Sequence, residues 1–437
     1  NAADPEVAAR TALIYGDRHV TYAEAERATN RIAHVLLGYG VEPGDRIGVL
    51  GRNSDTYIYI YFALARIGAI MVPINFWYRS GEIAYTIQQS ECAGLLVDTR
   101  FEANLPGLEN HPHVLWTHTF TPGGESDEPS AFERDVRSAA DQPPPVEVAE
   151  TAPHIILYTS GTTGFPKGAT FSHRSHFNHA RALAAATDAG DDDVGALIYP
   201  LFHTGGFDCL VLPHFLQGAT LVVLDGGDPE LILDATERHG VTNIYCVPTV
   251  WRRLLASLGE QPRDLSSVRR CLGSSDTFPP DLLDGIMGQF DADVYVTYGL
   301  TEAGCILTVC KLSRDDRGKL GSVGRPLPNV ELQLMAAAGK PAATGQVGEV
   351  AARTTGRMEG YWRLEDRTAE AIVDDWLYSG DLGKVDEDGY LYLVGRAKDI
   401  IISGGENIYP LEIERLLKQD SRIRDVAIVG VPDREWG

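Results

Sequence analysis

The sequence predicts an α/β protein: a large N-terminal domain of mostly parallel sheets covered by helices, with a small β-rich subdomain at about residues 330–397. Three observations predict it. Apolar runs of 4–6 residues alternate with helical stretches over most of the chain, the signature of parallel strands buried on both faces. Near Val330 the style changes to short strands separated by Gly/Asp turns. A length of 437 residues with 44% hydrophobic side chains is enough for two or three domains with full cores.

In chain order, Thr21-Tyr22-Ala23-Glu24 matches the Ser/Thr-x-x-Glu capping box, and apolar residues at helical spacing over 25–37 predict the helix behind it. Residues 47–50 read as a strand, 55–67 as a helix and 94–97 as a strand. The apolar stretch 58–74 is broken by Arg66, Gly68 and Pro73 and falls short of the ~20 residues of a membrane span, so it reads as a buried or amphipathic helix. Residues 121–150, rich in Pro, Gly and acids, read as a surface linker. Strands are then expected at 155–158, 196–199, 221–224, 243–247 and 294–296. The β-rich part adds 331–334, 349–352, 383–385 and 390–394.

Charge narrows the function. The chain has 61 Asp+Glu against 38 Lys+Arg, a net charge of −23. Such a polyanion is a poor partner for nucleic acid or an anionic membrane surface. A phosphate-bearing ligand must therefore be held by local backbone donors and a few placed cations. Cys92, Cys209, Cys246, Cys271, Cys305 and Cys310 are scattered with no C-x-x-C pair, which argues against a disulfide framework and a zinc site and fits a reducing compartment. With no signal segment or membrane span in the sequence, a cytoplasmic location is expected.

The most informative segment is Tyr158-Thr159-Ser160-Gly161-Thr162-Thr163-Gly164-Phe165-Pro166-Lys167-Gly168. An apolar strand runs into a loop of hydroxyls and glycines that carries one lysine, and such a loop can wrap phosphates with backbone N–H groups. It is not a Walker A loop, because Pro166 precedes Lys167 and no Ser/Thr follows. Standing alone, a flexible Gly/Ser/Thr turn stays open.

It does not stand alone. Tyr298-Gly299-Leu300-Thr301-Glu302 follows a predicted strand; then come Tyr378-Ser379-Gly380-Asp381, Gly395-Arg396-Ala397-Lys398-Asp399 and Gly404-Gly405-Glu406-Asn407. In this order and spacing the motifs resemble the acyl-adenylate-forming superfamily, in its acyl-CoA synthetase branch. The resemblance runs from Thr21 to the end of the chain. It implies that a carboxylate is joined to ATP, giving an acyl-adenylate and pyrophosphate, and that the acyl group then passes to coenzyme A.

The resemblance also implies roles. Thr159, Ser160, Gly161, Thr162, Thr163, Gly164 and Lys167 would hold the β- and γ-phosphates, and Glu302 with Thr162 would hold Mg²⁺, a hard ion suited to oxygen ligands. Asp381 would bind both ribose hydroxyls, Arg396 the ribose or phosphate side, and Thr301 the α-phosphate. Tyr298 and Gly299, with Ser274 and Ser275, would lie by the adenine. His203, in Pro200-Leu201-Phe202-His203-Thr204-Gly205-Gly206, matches the aromatic position beside the carboxylate. The acyl pocket would draw on His203, Thr204, Gly205, Phe207, Val247, Gly273, Ser274, Gly299 and Gly304. Lys398 would be the pivot between a domain of residues 1–397 and a small, hinged α+β C-terminal domain beginning at 398. Gly404, Gly405 and Glu406 would shape the pantetheine tunnel. Residues 398–437 are shorter than that domain usually is, so an incomplete one is expected. A cluster of His173, His176 and His179 invites a metal reading, but it lacks the acid of an H-E-x-x-H motif, and His173 matches a frequent family position.

The expected pocket segments are apolar and hold no acid at Thr204, Gly205, Gly206 or Phe207 to receive an α-amine. This favours an apolar acid, either fatty or bulky cyclic/aryl. Three alternatives stay open: transfer to an acyl carrier protein, a nucleotide-binding relative without turnover, and a phosphotransferase releasing ADP. A homodimer is also left open.

Overall fold

The structure, a computed structural model, describes residues 4–104, 107, 111–124, 128–159, 165–258, 263–274, 278–336, 339–403, 406–418, 420, 422–423 and 425–431. Ser160, Gly161, Thr162, Thr163, Gly164, Ser275, Gly404 and Gly405 lie outside them.

A seven-stranded sheet runs Gly360–Tyr361, Lys167–Ser172, Pro153–Thr159, Ile70–Ile74, Arg46–Leu50, Gly94–Asp98, Trp116–Phe120. From Pro153–Thr159 onward its pairings are parallel, and the two strands at the other end are antiparallel. A nine-stranded sheet runs Arg325–Pro326, Thr308–Leu312, Asp293–Tyr298, Arg270–Gly273, Asn243–Tyr245, Val194–Leu197, Thr220–Val223, Thr11–Tyr15, Arg18–Thr21. Its inner strands are parallel, with antiparallel strands at both edges. The consequence is geometric: ligands of open α/β sheets bind beyond the C-terminal ends of parallel strands. Here those ends are Thr159, Leu197, Tyr245, Gly273 and Tyr298, and each leads into a segment singled out by the sequence.

The third sheet is antiparallel. Val330–Ala336, Gly348–Thr354 and Trp376–Val385 form its centre, and Leu391–Arg396 pairs with Trp376–Val385. Beyond it, helix Pro410–Leu417 packs on Leu391–Arg396, with the Arg415 guanidinium donating to the Leu393 carbonyl at 2.8 Å.

The capping box at Thr21 forms as read. Thr21 accepts from the Glu24 amide at 3.2 Å, and the Glu24 carboxylate accepts from the Thr21 amide at 2.8 Å, opening helix Tyr22–Gly38. Two expectations are corrected. The stretch 58–74 is not one helix: helix Asp55–Arg66 ends before Gly68, which turns the chain at φ +75°, and Ile70–Ile74 is a fully buried central strand. A short apolar run buried on all sides looks the same as helix or strand, and the breaks at Gly68 and Pro73 do not by themselves say which. Residues 121–150 are not a plain linker either. They hold helix Ala131–Ser138, closed by a Ser130/Glu133 capping box and anchored by buried Phe132. The Glu133 carboxylate also accepts from the Thr121 amide at 2.8 Å, so the start of this stretch is tied to the helix. Among the described residues no helix is long and apolar enough to cross a membrane.

Candidate active site

Strand register builds the first part of the site. Trp376–Val385 and Leu391–Arg396 pair so that Asp381 stands opposite Arg396, and the Arg396 Nε lies 3.1 Å from Asp381 Oδ1. Gly380 precedes Asp381 at φ +75°, a left-handed turn that glycine adopts without strain, and its amide donates to Glu349 Oε1 at 3.0 Å. From the other sheet, the Tyr298 hydroxyl donates to Asp381 Oδ2 at 2.8 Å. Burial lifts the Asp381 carboxyl above its ordinary range, while Tyr298 and Arg396 pull in the opposite direction. These three side chains, with Gly299 and Lys398, line a cleft of about 910 Å³, ample for a nucleotide.

The residues expected at the polyphosphate come from two sheets. Thr159 and Lys167 face each other across the hairpin that closes the loop between them. Lys167 Nζ donates to the Tyr361 hydroxyl at 3.0 Å and sits 4.1 Å from that ring's centroid. The same hydroxyl donates to Glu302 Oε1 at 2.7 Å. Glu302 is carried on the 3₁₀ turn Thr301–Ala303, whose Glu302 carbonyl accepts from the Met358 amide at 2.8 Å. The Lys167 cation and the Glu302 carboxylate, expected at the polyphosphate, are thus joined through one tyrosine. Tyr361 was missed by sequence reading. Its only signal was an aromatic pair, Tyr361-Trp362, behind Gly360.

A second cavity, of about 400 Å³, is lined by Tyr199, His203, Tyr245, Val247, Val250, Trp77 and Phe202, among others. His203 Nδ1 accepts from the Gly205 amide at 2.9 Å, capping the short turn Thr204–Gly206. Burial holds the imidazole below its ordinary range, so the ring is neutral at neutral pH. Tyr199 packs edge-on against Tyr245, whose hydroxyl lies 2.9 Å from Thr297 Oγ1.

Of the expected acyl-pocket residues, His203 and Val247 line this cavity. Gly299 lines the larger cleft instead, while Thr204, Gly205, Phe207, Gly273 and Gly304 are packed closely by their neighbours. Phe207 stacks on Tyr61 at 4.2 Å, and Thr204 is buried. A Cβ on Gly205 would come within 2.8 Å of the Tyr199 ring. One on Gly273 would stand 1.9 Å from the Phe278 ring, and one on Gly299 1.9 Å from the Cys305 carbonyl oxygen. Gly304 is left-handed at φ +84° and would strike the Gly356 carbonyl oxygen at 2.4 Å. Close packing accounts for these glycines.

The three histidines lie on helix His173–Ala186, and two of them turn to the core. His176 Nδ1 is 3.2 Å from His154 Nε2, its Nε2 is 3.3 Å from Asp208 Oδ1, and His173 stacks on His154 at 4.6 Å. Burial pushes the imidazoles of His154, His176 and His179 down and the Asp208 carboxyl up, favouring neutral partners. His179 packs instead against Gly304 and Gly356. Among the described residues no group of three or more His, Cys, Asp or Glu is placed to hold a metal ion.

Comparison with known proteins identifies the family. Residues 2–362 match the family described as AMP-binding enzyme. Feruloyl-CoA synthase of Amycolatopsis sp. is 35% identical over 427 residues, covering 98% of this chain and 84% of its own length. Fatty acid–[acyl-carrier-protein] ligase ScoC of Streptomyces coeruleorubidus is 34% identical over 433 residues, covering 98% and 82%. The crystal structure of the anthranilate CoA ligase AuaEII in complex with anthranoyl-AMP superposes with a TM-score of 0.89 at 27% identity, covering 98% of this chain and 83% of that one.

Proposed function

The chain belongs to the AMP-binding enzyme family and is an AMP-forming acid–thiol ligase, and from that premise we propose how its residues divide the work. The reaction it runs joins a carboxylic acid to ATP and then to coenzyme A. A carboxylate oxygen attacks the α-phosphorus, the bond to the bridging oxygen breaks, and pyrophosphate leaves. The thiol sulfur then bonds to the acyl carbon and AMP departs.

In our reading Asp381 accepts from the ribose hydroxyls, Arg396 lies on the ribose or phosphate side, and Tyr298 and Gly299 flank the adenine. Lys167 meets the β- and γ-phosphates with the loop from Thr159, and Thr301 meets the α-phosphate. Bringing a carboxylate anion up to a triphosphate requires this screening and alignment. His203, neutral and fixed by its bond from Gly205, steers the carboxylate. Glu302, with Thr162, supplies oxygen donors of the kind Mg²⁺ takes; a single carboxylate suits an ion held mainly by phosphate oxygens and water, and Mg²⁺ when bound would neutralise polyphosphate charge. Residues from 398 onward are read as a mobile C-terminal unit pivoting at Lys398, with Gly404, Gly405 and Glu406 along the pantetheine path. Six free, buried cysteines support a reducing, cytoplasmic setting.

The observation that carries this reading is the pair of contacts that join the three sheets, Tyr298–Asp381–Arg396 and Lys167–Tyr361–Glu302. The test is product analysis with ATP, an aryl or fatty acid and coenzyme A. AMP, pyrophosphate and acyl-CoA are expected in equal amounts, and ADP in place of AMP would contradict the reading. The likeness to ScoC favours a second acceptor, a carrier protein's pantetheine arm, and transfer to that acceptor but not to coenzyme A would select it.

A further inference from the structure

Resting on that reading of the site, we propose that Tyr361 is a positioning residue that keeps Lys167 and Glu302 apart and orients both for the polyphosphate. The backbone around it is clamped to both. The Glu359 amide donates to the Thr170 carbonyl at 2.8 Å and the Trp362 amide to the Gly168 carbonyl at 2.7 Å, on the strand that begins at Lys167. The Met358 amide donates to the carbonyl of Glu302 itself. Tyr361 pairs with Ala169 in register, its amide donates to Thr368 Oγ1 at 2.9 Å, and its side chain is buried. The hydroxyl therefore has one place to be, the junction between the lysine and the carboxylate.

A cation and a carboxylate bonded to one and the same hydroxyl would be expected to pair directly if that hydroxyl were removed, leaving less positive charge for an incoming phosphate. Neither Lys167 nor Glu302 forms an ion pair with a described residue; the tyrosine stands between them. One hydroxyl serves both partners without conflict, accepting from the ammonium and donating to the carboxylate. On ligand entry Lys167 can exchange the hydroxyl for phosphate oxygens, while Glu302 keeps its bond and its orientation.

Tyr361→Phe tests this, because it keeps the ring beneath Lys167 and removes only the hydroxyl. With hydrogen bonds to charged groups worth about 1.5–3 kcal/mol, kcat/KM for ATP in the adenylation half-reaction should fall about 10- to 100-fold. KM for the acid should stay within about twofold, and Tm should hold or rise, since Lys167 and Glu302 become free to pair. A merely structural hydroxyl would instead lower Tm and weaken both substrates together, and that result would overturn the proposal. So would unchanged ATP kinetics. Lys167→Met and Glu302→Gln run alongside separate the two failures. If they cripple the half-reaction and Tyr361→Phe does not, the tyrosine's role alone has failed. If they too are silent, the reading of the whole site has failed with it.

Discussion

Lys167→Met is expected to lower kcat/KM for ATP by about 10²- to 10³-fold in the adenylation half-reaction, the range seen when one preorganised electrostatic donor is removed from a reacting centre. The size of the effect follows from the charge balance. A chain of net charge −23 repels a polyphosphate at long range, so binding depends on cations placed locally. Lys167 is held at the end of the hairpin loop, over the Tyr361 ring and bonded to its hydroxyl. Methionine keeps the unbranched stem and removes only the ammonium. Because Glu302 retains its bond from Tyr361 in the variant, the fold should be spared. The check is steady-state kinetics at saturating acid with Tm measured in parallel. A loss of activity that merely tracks a loss of Tm would count against a role at the phosphates.

Asp381→Asn should raise KM for ATP strongly, with kcat/KM falling about 10²-fold, as expected when two hydrogen bonds to a charged acceptor are weakened. Asn has one acceptor oxygen where Asp has two, and in the resting site Asp381 already uses one for Tyr298 and one for Arg396. A deoxyribose analogue of ATP provides the control. The unmodified protein should discriminate against it, and the variant should scarcely do so. The pH dependence has a fixed sign. Burial raises the Asp381 pKa, the ionised form is the one that accepts from two hydroxyls, and KM for ATP should therefore rise as pH falls through that elevated value. The rise should begin at a higher pH than for an ordinary carboxylate.

The two halves of the site were legible to different degrees, for physical reasons. The strand-to-loop transition at Tyr158–Lys167 and the capping box at Thr21 are local, so composition and spacing reveal them. Ile70–Ile74 was misread because complete burial erases periodicity, and the breaks at Gly68 and Pro73 do not say whether a helix or a strand follows. Helix Ala131–Ser138 was hidden by the prolines around it, although its Ser130-x-x-Glu133 cap was there to be read. Pairings set by register are harder still. Asp381 opposite Arg396 depends on a hairpin with a bulge, and Tyr361 reaches Lys167 across 194 residues of chain. The glycines were visible in the sequence, but their reason was not. Gly273, Gly299 and Gly304 have no room for a Cβ against Phe278, Cys305 and Gly356, contacts that exist only once the chain has folded.

The central claim is that these residues form one adenylating site, and carboxylate-dependent ATP–pyrophosphate exchange tests it most directly. The panel runs from acetate through long fatty acids to benzoates and polycyclic acids. The account predicts exchange that needs an added acid, peaks with one apolar class, and is lost in Lys167→Met and Asp381→Asn. Measurable ATP binding with no exchange from any acid, or exchange indifferent to both substitutions, would contradict it.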